Sequence, residues 1–343
     1  MSRRRIRVAV IAGGRSSEHE ISIASARSVL RALDPERYET TAIEIGKSGR
    51  WELGVSDKLR LPETPDGASI ETLPVVADST PAAVLGTVDV ALPILHGPFG
   101  EDGTVQGLLE LADVPYVGAG VAASALCMDK DLFKAVLRDR GIPVARNVTL
   151  REGDPIVHPF AYPVFVKPAR LGSSVGISKV HGESELEPAV ELARRHDDKV
   201  LIEELLDGIE IEIGVLGNRD PIASEVGEID AHAEWYDYSA KYDEGGMELI
   251  VPARIPEETA VRARALAVEA FVATECEGMA RIDMFATTDG GVVVNELNTI
   301  PGFTATSVYA KLFEASGIPY GELLNRLIEL ALERHERRSR LVY

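Results

Sequence analysis

The segment Arg281-Ile-Asp283-Met-Phe-Ala-Thr-Thr-Asp-Gly290-Gly-Val-Val-Val-Asn-Glu296-Leu-Asn298 restricts the fold more than any other stretch of this 343-residue chain. Asp289-Gly290 is a strong signal for a two-residue hairpin turn. With Thr288 paired to Gly291, Asp283 faces Glu296 and Arg281 faces Asn298. Side chains alternate along a strand, so all four share one face. Opposed like charges are unfavourable there, and a divalent cation between Asp283 and Glu296 removes the conflict. Oxygen donors suit Mg²⁺, which binds few carboxylates and completes its shell with substrate phosphates. The plainer reading of the same spacing is a solvated hairpin face with an Arg-balanced acidic pair.

The rest of the chain divides by pattern. Residues 6–12 form an apolar run ending in Gly13-Gly14. The basic head before it resembles a secretion signal. The run is too short, is interrupted by Arg7 and leads to no cleavage site, so it reads as a buried first strand. Apolar positions at helical spacing over 18–33, strands near 38–45 and 89–95, and helices near 103–113 and 121–140 predict a small parallel α/β domain. Residues 53–84 read as irregular. After turn signals between 141 and 163 come strands at 163–167 and 175–180, a helix at 184–196 and a strand at 199–204, a small α+β unit. From 208 onward the pattern gives antiparallel strands, a helix at 257–276, the hairpin at 279–297 and two terminal helices. The basic cluster Arg334–Arg340 reads as decoration of a helix end or frayed tail.

A net charge of −19 argues against a nucleic-acid partner, because phosphate contacts need Lys and Arg. No run of about 18 apolar residues predicts a membrane span. Cys127 and Cys276 are the only two cysteines, far apart in the sequence and in apolar contexts. They argue against a disulfide framework and for a reducing cytoplasm.

Three further segments carry chemistry. Lys167-Pro-Ala-Arg-Leu-Gly172-Ser173-Ser174-Val-Gly176 lies between two apparent strands. Small residues there let backbone N–H groups approach a phosphate, and Lys167 adds a point charge. It matches neither the P-loop pattern nor the dinucleotide fingerprint; an ordinary glycine-rich hairpin loop is the alternative. His96-Gly-Pro-Phe-Gly-Glu101-Asp-Gly103-Thr-Val-Gln106 reads as a loop at the carboxyl end of a strand opening a helix, where α/β sheets bind ligands. Glu234-Trp-Tyr236-Asp-Tyr238-Ser-Ala-Lys241-Tyr242-Asp-Glu-Gly-Gly246 suits a mobile lid, or an exposed loop with aromatic anchors.

Taken in order, these segments resemble D-alanine–D-alanine ligases of the ATP-grasp fold over nearly the whole chain. The resemblance rests on Gly13–Glu18, His96–Gly103, Met128-Asp-Lys130, Val166–Gly176, Tyr236–Tyr242, Gly278–Asp283 and Asn295–Gly302. It implies an α/β and α+β chain with three domains: a parallel α/β N-terminal domain at 1–125, a central domain at 126–207, and a C-terminal domain at 208–343 with a lid at 234–249. It also implies that Lys130, Lys167 and Ser174 meet the phosphates of ATP, and that Glu203, Leu206 and Glu210 meet adenine and ribose. Asp283, Glu296 and Asn298 would hold two Mg²⁺ ions, or Mn²⁺. Glu18 would bind the ammonium of the first D-alanine, with His96 also in the substrate pocket. Ser307 would help hold the second D-alanine.

By the same resemblance, the carboxylate of the first D-alanine attacks the γ-phosphate to give an acyl phosphate, which the amine of the second then attacks. Arg281 and the Gly302 N–H would stabilise the oxyanion, and Lys241 the phosphoryl charge. Tyr242, Ser173 and Glu18 would form one hydrogen-bonded chain. A homodimer is implied by the family alone. Competing readings are a relative using D-lactate or D-serine as second substrate, another ATP-grasp carboxylate–amine ligase, and a nucleotide-binding regulator without catalysis.

Overall fold

β1 (Ile6–Gly13) is fully enclosed from Val8 onward, as its apolar run requires. It pairs in parallel with β2 (Tyr38–Ile45) and β4 (Val90–Ile94), while β3 (Trp51–Leu53) runs antiparallel at the edge of β2. The helix between β1 and β2, α1 (His19–Ala32), buries Ile23, Ala26, Val29 and Leu30 against this sheet. Ser22 pins α1 to the strand ends: its Oγ accepts from the Gly13 N–H at 2.7 Å and donates to the Ile94 carbonyl. The computed structural model describes residues 4–53, 85–231 and 247–342. The expected irregular stretch at 53–84 therefore lies almost entirely outside the described residues.

α2 (Thr104–Leu111) follows β4, and the helix expected over 121–140 is two helices, α3 (Val121–Met128) and α4 (Lys130–Asp139). Asp129 breaks it. Its backbone is extended, and its carboxylate accepts from the N–H groups of Asp131 and Leu132, capping α4. A side chain that can cap competes with helix continuation, and here the cap wins.

The second sheet is antiparallel, in the order β5-β8-β6-β7. Its strands are β5 (Asn147–Leu150), β6 (Val164–Pro168), β7 (Ser178–Val180) and β8 (Val200–Glu204). α5 (Glu183–Arg194) covers one face with Leu186, Ala189, Val190 and Ala193.

The third sheet, also antiparallel, has the order β11-β10-β9-β12-β13. It is built from β9 (Gly208–Gly217), β10 (Ile222–Ala231), β11 (Met247–Ile250), β12 (Gly278–Thr287) and β13 (Val292–Asn298). α6 (Glu257–Ala273) lays a face of Ala260, Ala263, Ala267 and Ala270 on it, small residues that let helix and sheet approach closely. The expected lid at 234–249 falls outside the described residues except for its end. Met247–Leu249 already belong to β11, paired with Ile229–Ala231.

The β12–β13 hairpin departs from expectation twice. The Thr287 N–H donates to the Gly291 carbonyl, so the turn holds three residues, Thr288-Asp289-Gly290, with Gly290 at φ +81°. That left-handed position is what the glycine supplies. Pairing then runs one residue out of the expected register as far as Met284↔Val294. Asn295 bulges out, and beyond it Asp283↔Glu296 and Arg281↔Asn298 are opposed.

α7 (Val308–Ala315) and α8 (Tyr320–Ser339) close the chain. α8 does more than carry a basic tail. Arg334 is buried, and its guanidinium donates to the carbonyls of Tyr116, at 2.8 Å, and Gly118. It also lies 4.4 Å over the Tyr116 ring. The two cysteines, distant in sequence, meet in the folded chain as free thiols with sulfurs 3.9 Å apart and both buried. Among the described residues no helix is long and apolar enough to cross a membrane.

Candidate active site

Register sets the floor of the site. Asp283 stands opposite Glu212 on β9 and Glu296 on β13, so three carboxylates form a row across three adjacent strands. Arg281, two residues along β12, relieves the repulsion. Its guanidinium donates to both Asp283 oxygens at 2.7 Å and lies 3.0 Å from Glu212. Burial works against the Arg281 charge, but Asp283 and Glu212 outweigh it and hold the group charged. The Asn298 carboxamide donates to Asp283 at 3.0 Å, and Lys130 lies 3.4 Å from Glu296. Among the described residues, no three His, Cys, Asp or Glu side chains are gathered as a self-sufficient metal cage. Asp283, Glu296 and the Asn298 carbonyl offer only oxygen donors on one face. That set fits a hard divalent cation that takes its remaining ligands from phosphates and water.

The opposite wall comes from loops. Glu18 ends the Gly14–Ser17 loop and starts the first turn of α1, with its carbonyl accepting from the Ser22 N–H. His19 fixes this turn through Nδ1 and the Gly14 carbonyl, 2.8 Å apart. Ser173, in the loop between β6 and β7, donates from Oγ to Glu18 Oε1 at 2.5 Å. Ser173 and Ser174 both hold left-handed backbones, φ 55° and 57°, which non-glycine residues adopt at a cost. His96 follows β4, buried, with Nδ1 3.0 Å from the Ile300 carbonyl. This assigns the proton to Nδ1 and leaves Nε2 as an acceptor, which finds no partner among the described residues. Burial lowers the His96 pKa, so the ring is neutral at pH 7 despite nearby Glu18.

A cavity of about 450 Å³ lies between floor and wall. It brings together Glu18, His96 and Ser173 with Arg281, Glu296 and Asn298. Gly302, Ser307 and Glu210 line it as well. The Ser307 hydroxyl accepts from the Thr304 N–H at 2.9 Å. Glu101, whose segment was singled out without a role for the residue itself, also lines the cavity and accepts from the Gly97 N–H. Burial and then Glu18 push its carboxyl up to about 8. Glu212 had been missed too, although Glu210-Ile-Glu212 alternates as a strand with one acidic face.

The lysines lie to one side. Lys130 opens α4, donates to the Leu171 carbonyl and lines a neighbouring crevice with Glu101, Glu296 and Asn298. Lys167 on β6 reaches Glu203 on β8 at 2.5 Å, and Lys134 on α4 reaches the other oxygen of Glu203 at 2.7 Å. Burial opposes the Glu203 charge, but the two lysines outweigh it and lower its pKa. Leu206 is half-buried at the start of the connection to β9. Lys241 and Tyr242 lie outside the described residues.

A parallel α/β sheet, a small antiparallel sheet and a larger one, with lysines and carboxylates lining the clefts between them, define the ATP-grasp class of ligases. Family models described as D-ala D-ala ligase N-terminus and D-ala D-ala ligase C-terminus match residues 7–119 and 136–329. The chain is 48% identical to D-alanine–D-alanine ligase A of Chromobacterium violaceum, over 96% of each protein. A solved D-alanine–D-alanine ligase from Coxiella burnetii is similar at a TM-score of 0.82 and 36% identity, covering 98% of this chain and 96% of that one. A D-Ala:D-Ser ligase from Enterococcus faecalis gives 0.81 and 36%, covering 96% and 100%. A Bacillus anthracis D-alanine–D-alanine ligase complexed with ATP gives 0.77 and 28%, covering 97% and 99%. The chain belongs to the D-alanine–D-alanine ligase family.

Proposed function

We propose that the chain joins two D-alanine molecules to D-alanyl-D-alanine in two steps, converting ATP to ADP and phosphate, with the residues above in distinct roles. The Glu18 carboxylate receives the ammonium of the first D-alanine, and the neutral His96 accepts a further hydrogen bond through Nε2. The carboxylate of that D-alanine attacks the γ-phosphorus and ADP leaves, giving an acyl phosphate. The amine of the second D-alanine, its carboxylate held near Ser307, then attacks the acyl carbon. The tetrahedral oxyanion is met by Arg281 and the Gly302 N–H, and phosphate departs. Lys130, Lys167 and Ser174 hold ATP phosphates, Glu203, Leu206 and Glu210 hold adenine and ribose, and Lys241 offsets charge on the phosphoryl group. Asp283, Glu296 and Asn298 would hold two divalent cations, Mg²⁺ or Mn²⁺. When bound, these supply charge neutralisation at the transferred phosphoryl group. Tyr242 joins Ser173 and Glu18 over the first substrate, and closure of the 234–249 segment excludes water.

The observation that carries this reading is the Ser173–Glu18 hydrogen bond at 2.5 Å, which brings the phosphate loop onto the residue expected to bind the amino acid. The three-domain division, a homodimer and a cytoplasmic location belong to the same proposal. The test is phosphate release and product analysis with ATP and Mg²⁺ and either D-alanine, L-alanine, or D-alanine mixed with an equal amount of D-serine or D-lactate. D-Alanine alone is expected to give ADP and dipeptide, and L-alanine neither. AMP as product, or ADP without dipeptide, would sink the reading. Depsipeptide or D-alanyl-D-serine formed as readily as dipeptide would reassign the second substrate.

A further inference from the structure

Lys134 has no part in the chemistry above, yet it is the most deeply enclosed cation of the site. It sits on α4 one turn after Lys130, is 0% exposed, and its ammonium lies 2.7 Å from Glu203 Oε1. The other oxygen of Glu203 meets Lys167 at 2.5 Å. Two ammonium groups thus share one carboxylate that is itself buried. The two lysines differ in where they are held. Lys167 stands on β6 just before the Arg170–Gly176 loop and retains slight exposure, whereas Lys134 is closed in on every side. Burial draws the Lys134 pKa down to about 8, against the pull of Glu203, which leaves the pair ionic at neutral pH. A buried ion pair is replaceable by apolar residues with little loss of stability, so stability alone does not account for it.

We infer that Lys134 is a positioning residue: it anchors Oε1 of Glu203 so that Oε2, once Lys167 turns to the ATP phosphates, faces the base as a fixed anionic acceptor and selects an adenine over a 6-oxopurine. The inference rests on the reading in which Glu203 meets adenine. An ionised carboxylate only accepts hydrogen bonds. The exocyclic amine of adenine donates one. The 6-oxo group of hypoxanthine or guanine presents another acceptor, which leaves two oxygen lone pairs facing each other in a desolvated place. Without Lys134 the carboxylate loses its anchor and, when Lys167 departs, its last counter-charge. It then takes up a proton and can donate to a 6-oxo group as well as accept from an amine.

The test is the dissociation constants of MgADP and MgIDP by calorimetry, together with KM and kcat for ATP and ITP. Wild type, Lys134→Met and Glu203→Gln are compared. The wild type is expected to prefer the adenine nucleotide, and Lys134→Met to reduce that preference about tenfold, with the change in KM rather than kcat. Glu203→Gln is expected to abolish the preference. If Glu203→Gln abolishes it and Lys134→Met weakens both nucleotides equally, Lys134 is a plain structural counter-ion and the inference fails while the adenine reading stands. If Glu203→Gln leaves the preference intact, both fail. Should Lys134→Met not fold, Lys134→Gln, which keeps an N–H donor without the charge, is read in the same way. A reduced preference supports the inference, and an unchanged one overturns it.

Discussion

Asp283 and Glu296 stand opposite each other and have the same charge, but they are not equivalent. Asp283 is buried and accepts from Arg281 twice and from Asn298 once. Glu296 is half-buried, with Lys130 3.4 Å away. Asp283→Asn removes the charge of the carboxylate that holds the half-buried Arg281 guanidinium through two hydrogen bonds, leaving the charges of Glu212 and Glu296 to balance it. That should cost about 1–3 kcal/mol in the ligand-free protein. Glu296→Gln should leave thermal stability close to that of the wild type. Both should lower dipeptide formation on the order of a hundredfold, because each removes charge from the proposed cation site. Chemical denaturation and a product assay on the two variants check this. Stability lost with turnover unchanged would return the acidic row to a purely structural role. At this scale the sequence was informative because the chemistry is carried by side-chain type and spacing. It was silent on Glu212 and Glu101, whose importance comes from being enclosed beside other carboxylates, which spacing along one chain does not reveal.

Elements were legible where period alone decides them. The parallel strands at 6–13, 38–45 and 90–94 and the helices at 183–194 and 257–273 follow from apolar spacing and lie within a few residues of expectation. What period does not show is a local competition between backbone partners. The expected opposition of Asp283 to Glu296 holds although the turn has three residues instead of two, because the Asn295 bulge restores the register before the acidic row. Neither departure has a strong sequence signature. Asp129 is a similar case. Its carboxylate caps α4, and it also meets Lys199, a buried ammonium, at 2.7 Å. Just after the break, the Lys130 N–H donates to the Ala169 carbonyl beside the phosphate loop. Asp129→Ala should therefore cost about 1–2 kcal/mol for the cap and more for the loss of the nearer of the two carboxylates that meet Lys199. It should raise KM for ATP more than KM for D-alanine, since Lys130 rides on the first turn of α4. Asn at this position still caps and leaves Lys199 its second partner, Asp131 at 3.3 Å. Asp129→Asn should thus recover most of the stability and most of the ATP affinity. An Asn variant as impaired as the Ala variant would show that the charge, not the cap, sets the helix start.

For the molecule as a whole, the apolar cores do not respect sequence order, and this was the least legible level. Leu323, Leu324, Leu327, Ile328 and Ala331 of α8 share one cluster with Val8, Val10, Val90 and Leu92 of the first sheet and with Met279, Ile300 and Phe303 beside the large sheet. In the same way Ala123, Phe133 and Leu137 of α3 and α4 pack with β9, β12 and α6. Glu18 sits on the loop that leaves the first sheet for α1 and Arg281 on the large sheet, so the C-terminal helix ties together the two walls of the amino-acid cavity. At the seam the backbones nearly touch. Gly278 has φ +82°, and a Cβ there would lie 3.2 Å from the Gly118 backbone. Arg334 completes the joint through the Tyr116 and Gly118 carbonyls. The sequence marked Arg334 only as one of a basic run, since nothing local distinguishes a buried arginine from its exposed neighbours. Arg334→Met keeps the apolar contact but leaves two buried carbonyls without donors, which should cost about 2–4 kcal/mol. The nucleotide lies, on the proposed reading, between the second and third sheets and does not depend on this joint. Arg334→Met should therefore raise KM for D-alanine several-fold by loosening Glu18 relative to Arg281, while the dissociation constant for ADP stays near the wild-type value. Calorimetric ADP binding and D-alanine kinetics on the one variant decide it: a parallel loss of both would mean that the three sheets move as a single body and that α8 does not separately govern the amino-acid cavity.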